Sequence, residues 1–159
     1  MNINLATALV APLLIGVIAG LRTATAPAAV SWAARTGWLH LAPTRLAFLG
    51  YAFAPWVLTL LALAELVIDQ LPTTPSRREP GPFGARILSG ALSGAAIGAS
   101  GDSLFSGMVA GIIGAVIGTV GGHAARAWLA AAFGSDRPAA FIEDAVAIGG
   151  AFLILAALT

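Results

Sequence analysis

Three long stretches of this chain carry no charge: Met1 to Leu21, Leu46 to Ala64 and Ser103 to Ala125. Each is close to the ~20 residues that a helix rising 1.5 Å per residue needs to cross a hydrocarbon core. A water-soluble fold has to cover its surface with polar groups, and stretches of this kind leave too few. The composition agrees, with 58% hydrophobic and only 9% charged residues. The expected class is therefore all-α, a polytopic transmembrane helical bundle forming a single domain over residues 1–159.

Weaker candidates fill the gaps at Thr23 to Leu41, Ala85 to Ser100 and Pro138 to Leu158, giving about six membrane elements, some of them short or re-entrant. Pro27, Arg35 and Gly37 interrupt the first of these. The four prolines between Leu71 and Pro82 break any helix there and divide the chain near its middle. The apolar N-terminal segment has no Lys or Arg ahead of it, so it reads as retained rather than cleaved.

Orientation follows from the arginines, because short loops rich in basic residues stay cytoplasmic. With both termini outside, the inner side receives Arg22, Arg77, Arg78, Arg86, Arg126 and Arg137, and the outer side only Arg35 and Arg45. The expected location is the bacterial inner membrane. Trp38, Tyr51 and Trp56 then lie near the outer interface and Trp128 near the inner one, as amphipathic rings do.

Against this apolar background Glu65, Asp69, Glu143 and Asp144 are the costly residues, since a charge within a membrane segment needs a partner or a task. Glu65 and Asp69 are four apart and share a helix face. Glu143 and Asp144 are adjacent and point about 100° apart on a helix, so they face different neighbours. Arg22, Arg126 and His123 are the basic candidates on the same side. Two uses compete for such a centre: structural ion pairing with arginine, or binding of a substrate, a hard cation or protons, helped by hydroxyls such as Thr23 and Thr25. A second patch, Thr73, Thr74, Ser76, Arg77 and Arg78, offers hydroxyls and guanidinium forks suited to the phosphate of a lipid headgroup.

An offset of 78 residues lays Gly16 and Gly20 on Gly94 and Gly98, and Glu65 on Glu143. Halves of three elements each, 1–78 and 79–159, would sit in opposite orientations, the inverted-repeat plan of many transporters. Gly90, Gly94 and Gly98 recur every fourth residue, as do Gly114, Gly118 and Gly122, with Gly107 and Gly111 as a further pair. Such a glycine zipper lets helix backbones approach closely in lipid, within the chain or across a homo-oligomer, most simply a dimer.

Several classes drop out. There is no cysteine, hence no disulfide, thiolate nucleophile or iron–sulfur cluster. No Lys is present and the arginines form no run that would track a phosphate backbone, so nucleic acid is not an expected partner and membrane lipids are. Nucleotide loops, metalloprotease motifs and nucleophile elbows are missing, so no cofactor is expected and an enzyme is less expected than a transporter.

Gly20-Leu21-Arg22-Thr23, Glu65-Leu66 through Asp69-Gln70-Leu71-Pro72, Pro75-Ser76-Arg77, Gly84-Ala85-Arg86 and Glu143-Asp144-Ala145 together resemble the bacterial membrane family called domain of unknown function 4126. The resemblance spans nearly the whole chain and implies a small integral membrane protein. That family carries no assigned activity, so it implies no catalytic residue. The functional expectation is a transporter or permeation protein with an acidic and arginine-rich polar centre. Its alternatives are a membrane enzyme or binder acting on a phosphorylated lipid headgroup, and a structural or partner-binding protein.

Overall fold

Where the chain folds into helices is set largely by proline and glycine. The computed structural model describes residues 5–69 and 79–159. Among these it holds six α-helices and no strand: α1 (Leu5–Leu21), α2 (Thr25–Thr36), α3 (Ala54–Ile68), α4 (Pro80–Ala99), α5 (Leu104–Phe133) and α6 (Asp136–Ala156). The fold class is all-α.

α2 stops at Gly37, which takes φ +85° and donates its N–H to the Ala33 carbonyl, a left-handed cap that only glycine adopts without strain. The uncharged stretch Leu46 to Ala64 is not one helix. Its first part is a 3-10 turn, Ala47–Gly50, and α3 begins only at Ala54, with Pro55 in its first turn where a missing N–H costs nothing. The proline-rich break also ends sooner than expected. Pro80 and Pro82 lie in the first turn of α4 and start the helix instead of blocking it.

α5 and α6 are long and apolar enough to cross a membrane. The expected six spanning elements thus reduce, by length and composition, to two. α1 and α3 are apolar but have only 17 and 15 residues, and α2 has 12. In α4 the cause is composition, since glycine, serine and Arg86 dilute its apolar residues.

The helices alternate in direction. The ends of α1 and α3 meet the starts of α4 and α6 through Arg22, Glu65, Asp69, Arg86 and Asp144. At the opposite end Ala8 of α1, Trp38 after α2, Gly98 of α4, Ser103 before α5 and Leu158 after α6 surround one small cavity. One end of the bundle is consequently ionic and the other aromatic.

α1, α4 and α5 form the tightest part of the bundle. A Cβ built on Gly90 would lie 2.6 Å from the Gly111 carbonyl oxygen, and one on Gly114 would lie 2.8 Å from the Val17 nitrogen. Gly90, Gly94 and Gly98 of α4 face Gly107 and Gly111 of α5, while Gly114 and Gly118 face α1. These strips are filled within one chain, so a second copy would have to dock on another surface. The packing is also not mirrored between the halves: α1 and α4 both lie along α5, whereas α2, which lacks a glycine strip, touches α1 and α4 much less.

Large apolar side chains point outward on α1, α3, α4, α5 and α6 or beside them, among them Val10, Phe53, Leu88, Phe105, Trp128 and Leu153. Surface of that kind is far beyond what a monomer in water tolerates.

Candidate functional site

Between α1 and α2 the chain turns through Arg22, Thr23 and Ala24, which leaves backbone N–H groups without helical partners beside a cationic side chain. α3 supplies what this turn lacks. Glu65 accepts hydrogen bonds from the N–H of Thr23 at 2.7 Å and of Ala24 at 2.8 Å. One turn further on, Asp69 pairs with the Arg22 guanidinium. α4 closes the turn from the other side, where the Ser89 hydroxyl donates to the Thr23 carbonyl at 2.5 Å.

Arg22 is the centre of the site. Its side chain is fully buried, and it lies between Asp69 of α3 and Asp144 of α6, pairing with both. The carboxylates lie outside it, 13% and 15% accessible. Burying a guanidinium without partners would cost several kcal/mol, roughly what removing one member of a buried pair costs.

A second cluster adjoins the first. Arg126 of α5 holds Asp136 of α6 with two hydrogen bonds of 2.8 and 2.5 Å, the fork geometry of a guanidinium on a carboxylate, and lies 3.6 Å from Glu143. Glu143 and Asp144, adjacent in sequence, therefore serve different arginines, as their angular separation on a helix requires. Arg86 of α4 approaches Glu65 at 3.9 Å.

The structure thus brings Glu65, Asp69, Glu143, Asp144, Arg22 and Arg126 to one end of the bundle. Thr73, Thr74, Ser76, Arg77 and Arg78, the expected headgroup patch, lie outside the described residues. His123 is half-buried and joins none of these ion pairs. Among the described residues no group of three His, Asp or Glu is placed to hold a metal.

Sequence reasoning missed Arg86, Ser89 and Asp136. Arg86 had a signal, because it stands four residues before Gly90 and so continues the glycine face of α4 that packs inward. Asp136 reads as a first-turn acid favoured by the helix dipole, which conceals its part in holding Arg126.

An apolar groove of about 410 Å³ runs up the side of the bundle between α2, α3 and α6. Thr25, Leu66 and Ile148 are its lining residues nearest the ionic end. One helical step further along the same faces stand Asp69, three after Leu66, and Asp144, four before Ile148. The Asp69–Arg22–Asp144 cluster accordingly lies about one helical step beyond the ionic end of the groove and is not part of its lining.

No protein-family model, curated protein or solved structure matches the chain.

Proposed function

We propose that this chain is a small polytopic integral membrane protein that binds a membrane lipid, with the tail in the groove between α2, α3 and α6 and the headgroup beyond its ionic end. The observation that supports the reading is an apolar groove open on the side of the bundle, whose end lies about one helical step from the Asp69–Arg22–Asp144 cluster. An aqueous pathway would need polar groups along its walls, and this wall is mostly alanine, leucine and aromatic side chains, with the Trp32 N–H and Thr59 hydroxyl bonded to each other.

The orientation belongs to the same proposal. Arg22, Arg86, Arg126 and Arg137 lie at the ionic end and Arg35 and Arg45 at the other, which favours the ionic end in the cytoplasm of a bacterial inner membrane and both termini outside. Membership of domain of unknown function 4126, resting on the motifs around Arg22, Glu65 and Glu143, belongs to it as well. The six-element membrane bundle is supported by alternating helix direction, and the inverted repeat by the 78-residue offset that carries α1 onto α4.

The test is to fill the groove. Ala29 and Ala62 are partly exposed on its walls, so Ala29→Phe with Ala62→Phe occupies the space at little cost to the core. Folded variant protein should lose most of the lipid that copurifies with the wild type, read by native mass spectrometry. Unchanged lipid on the folded variant overturns the reading.

Transport is the second reading, favoured by one observation. Ser93 is fully buried on α4, seven residues from Arg86, and its hydroxyl has no hydrogen-bond partner among the described residues. A polar group left so inside the bundle suits a proton or ion path. Glu65→Gln or Glu143→Gln that stops proton flux in proteoliposomes, with folding intact, would favour it over lipid binding alone.

A further inference from the structure

We infer that protons cross this bundle along one face of α4, through water held between the Ser93 hydroxyl and the small cavity at the aromatic end. The inference rests on the transport reading above and gives that reading a substrate and a route.

α4 carries its polar residues on one line. Arg86, Ser93 and Ser100 recur at about two turns of helix, and Ser89 lies between the first two on the same side. Arg86, Ser89 and Ser93 are all buried. The bond from Ser89 to the Thr23 carbonyl shows that this line faces the turn between α1 and α2. The glycines of α4 pack on α5 beside it.

Ser93 breaks a local habit. A hydroxyl inside a helix ordinarily returns to a carbonyl one turn back. Ser100 does so to Ile97, Ser106 to Ser103 and Thr119 to Ala115. Ser93 is fully buried, yet its hydroxyl has no protein partner among the described residues. Water, which both donates and accepts, is the group that satisfies such a hydroxyl.

One turn outward the line meets the cavity of about 190 Å³, lined by Ile97, Ser100, Ser103 and His40, which has room for several waters. Exposed His40 places it at the surface. Ala8 of α1 lines it as well, and its carbonyl has lost its helical donor, because the residue four further on is Pro12. Ile97 stands about 6 Å along the helix from Ser93. A single bridging water, at about 2.8 Å to each side, nearly spans that step. Ile97 is the apolar side chain that narrows it.

At the ionic end the line reaches a carboxylate. Ser89, one turn from Ser93, bonds the carbonyl of Thr23, and Glu65 holds the N–H of the same residue. At each hydroxyl or water a passing proton forms one O–H bond while another breaks, so the carrier is unchanged. Glu65 takes the proton as a carboxylic acid and, being 14% accessible, releases it to solvent. A metal ion would need about six oxygens around it, and hydroxyls spaced a turn or more apart do not supply them.

The experiment is proton flux into proteoliposomes holding the full chain and a pH-sensitive dye, under an imposed pH difference. Flux above that of empty vesicles is expected. Ser93→Ala should lose most of it, whereas Ser93→Thr, which keeps the hydroxyl, should retain it. Ile97→Phe should block the step and Ile97→Ser should speed it, and these opposite signs decide the matter however Ser93→Ala folds. Flux that Glu65→Gln stops, but that Ser93→Ala and Ile97→Ser leave unchanged, overturns the route and leaves transport standing. Wild-type flux equal to that of empty vesicles overturns both.

Discussion

Glu65 of α3 accepts the backbone N–H of Thr23 at 2.7 Å, which anchors the turn between α1 and α2 to a helix that follows it by some forty residues. The same carboxylate takes the next N–H, that of Ala24. A side chain from elsewhere in the fold therefore takes the N–H of the N-cap residue Ala24, as the glutamate of a capping box ordinarily does from within, and the negative charge also favours the positive end of the helix.

Removing that carboxylate should loosen the turn first. Glu65→Ala leaves two N–H groups without their acceptor, at about 1–3 kcal/mol for a buried unsatisfied donor. Amide hydrogen exchange at Thr23 and Ala24 should accelerate, with α5 unaffected. Glu65→Gln keeps an acceptor oxygen and should retain part of the protection. Unaltered exchange in Glu65→Ala would show that the turn is held by other contacts.

Arg22 should matter more to folding than any other single charge. Arg22→Met leaves Asp69 and Asp144 facing each other without their shared cation, and a destabilisation of about 3–5 kcal/mol is expected. Adding Asp69→Asn and Asp144→Asn to the same protein should recover much of it, because the charges then vanish together. Thermal unfolding in detergent measures both steps.

Glycines of α5 should divide sharply by position. A side chain on Gly111 or Gly114 would meet the backbone of α4 or α1, so Gly111→Val or Gly114→Leu should prevent the fold from forming. At Gly121 nothing lies within 4 Å, and Gly121→Ala should be neutral or stabilising, by up to about 1 kcal/mol from helix propensity. Thermal stability of the variants in one detergent distinguishes the two groups.

Absence of native cysteine makes orientation directly measurable. Thr36→Cys lies at the aromatic end and Ser135→Cys at the ionic end, and both positions are exposed. A membrane-impermeant maleimide should label the first in intact cells and the second only after permeabilisation. The reverse pattern would invert the topology.

Much of the fold was legible because lipid-facing helices and their interruptions are local matters. Uncharged runs and the interruption at Gly37 act through the residues beside them, whereas the split of Leu46 to Ala64 into a turn and α3 was not legible. The pairing of acids with arginines was legible in kind, since a buried charge demands a partner. Which acid meets which arginine was not, because Arg22 reaches Asp69 and Asp144 across separations that only the helix packing closes. The groove left no mark in the sequence either. Its alanines look like those of any helix in an alanine-rich chain, and they become walls only when α2, α3 and α6 are set side by side.

The sequence by itself thus determined an all-helical, strongly apolar chain with costly charges concentrated near certain helix ends, because composition and periodicity act residue by residue. The tertiary structure decided that those charges form adjoining ion-pair clusters, one of them around a fully buried Arg22, that the glycine strips close on helices of the same chain, and that an apolar groove opens between α2, α3 and α6. Each of these depends on distances between segments far apart in the chain, and such distances are set by packing.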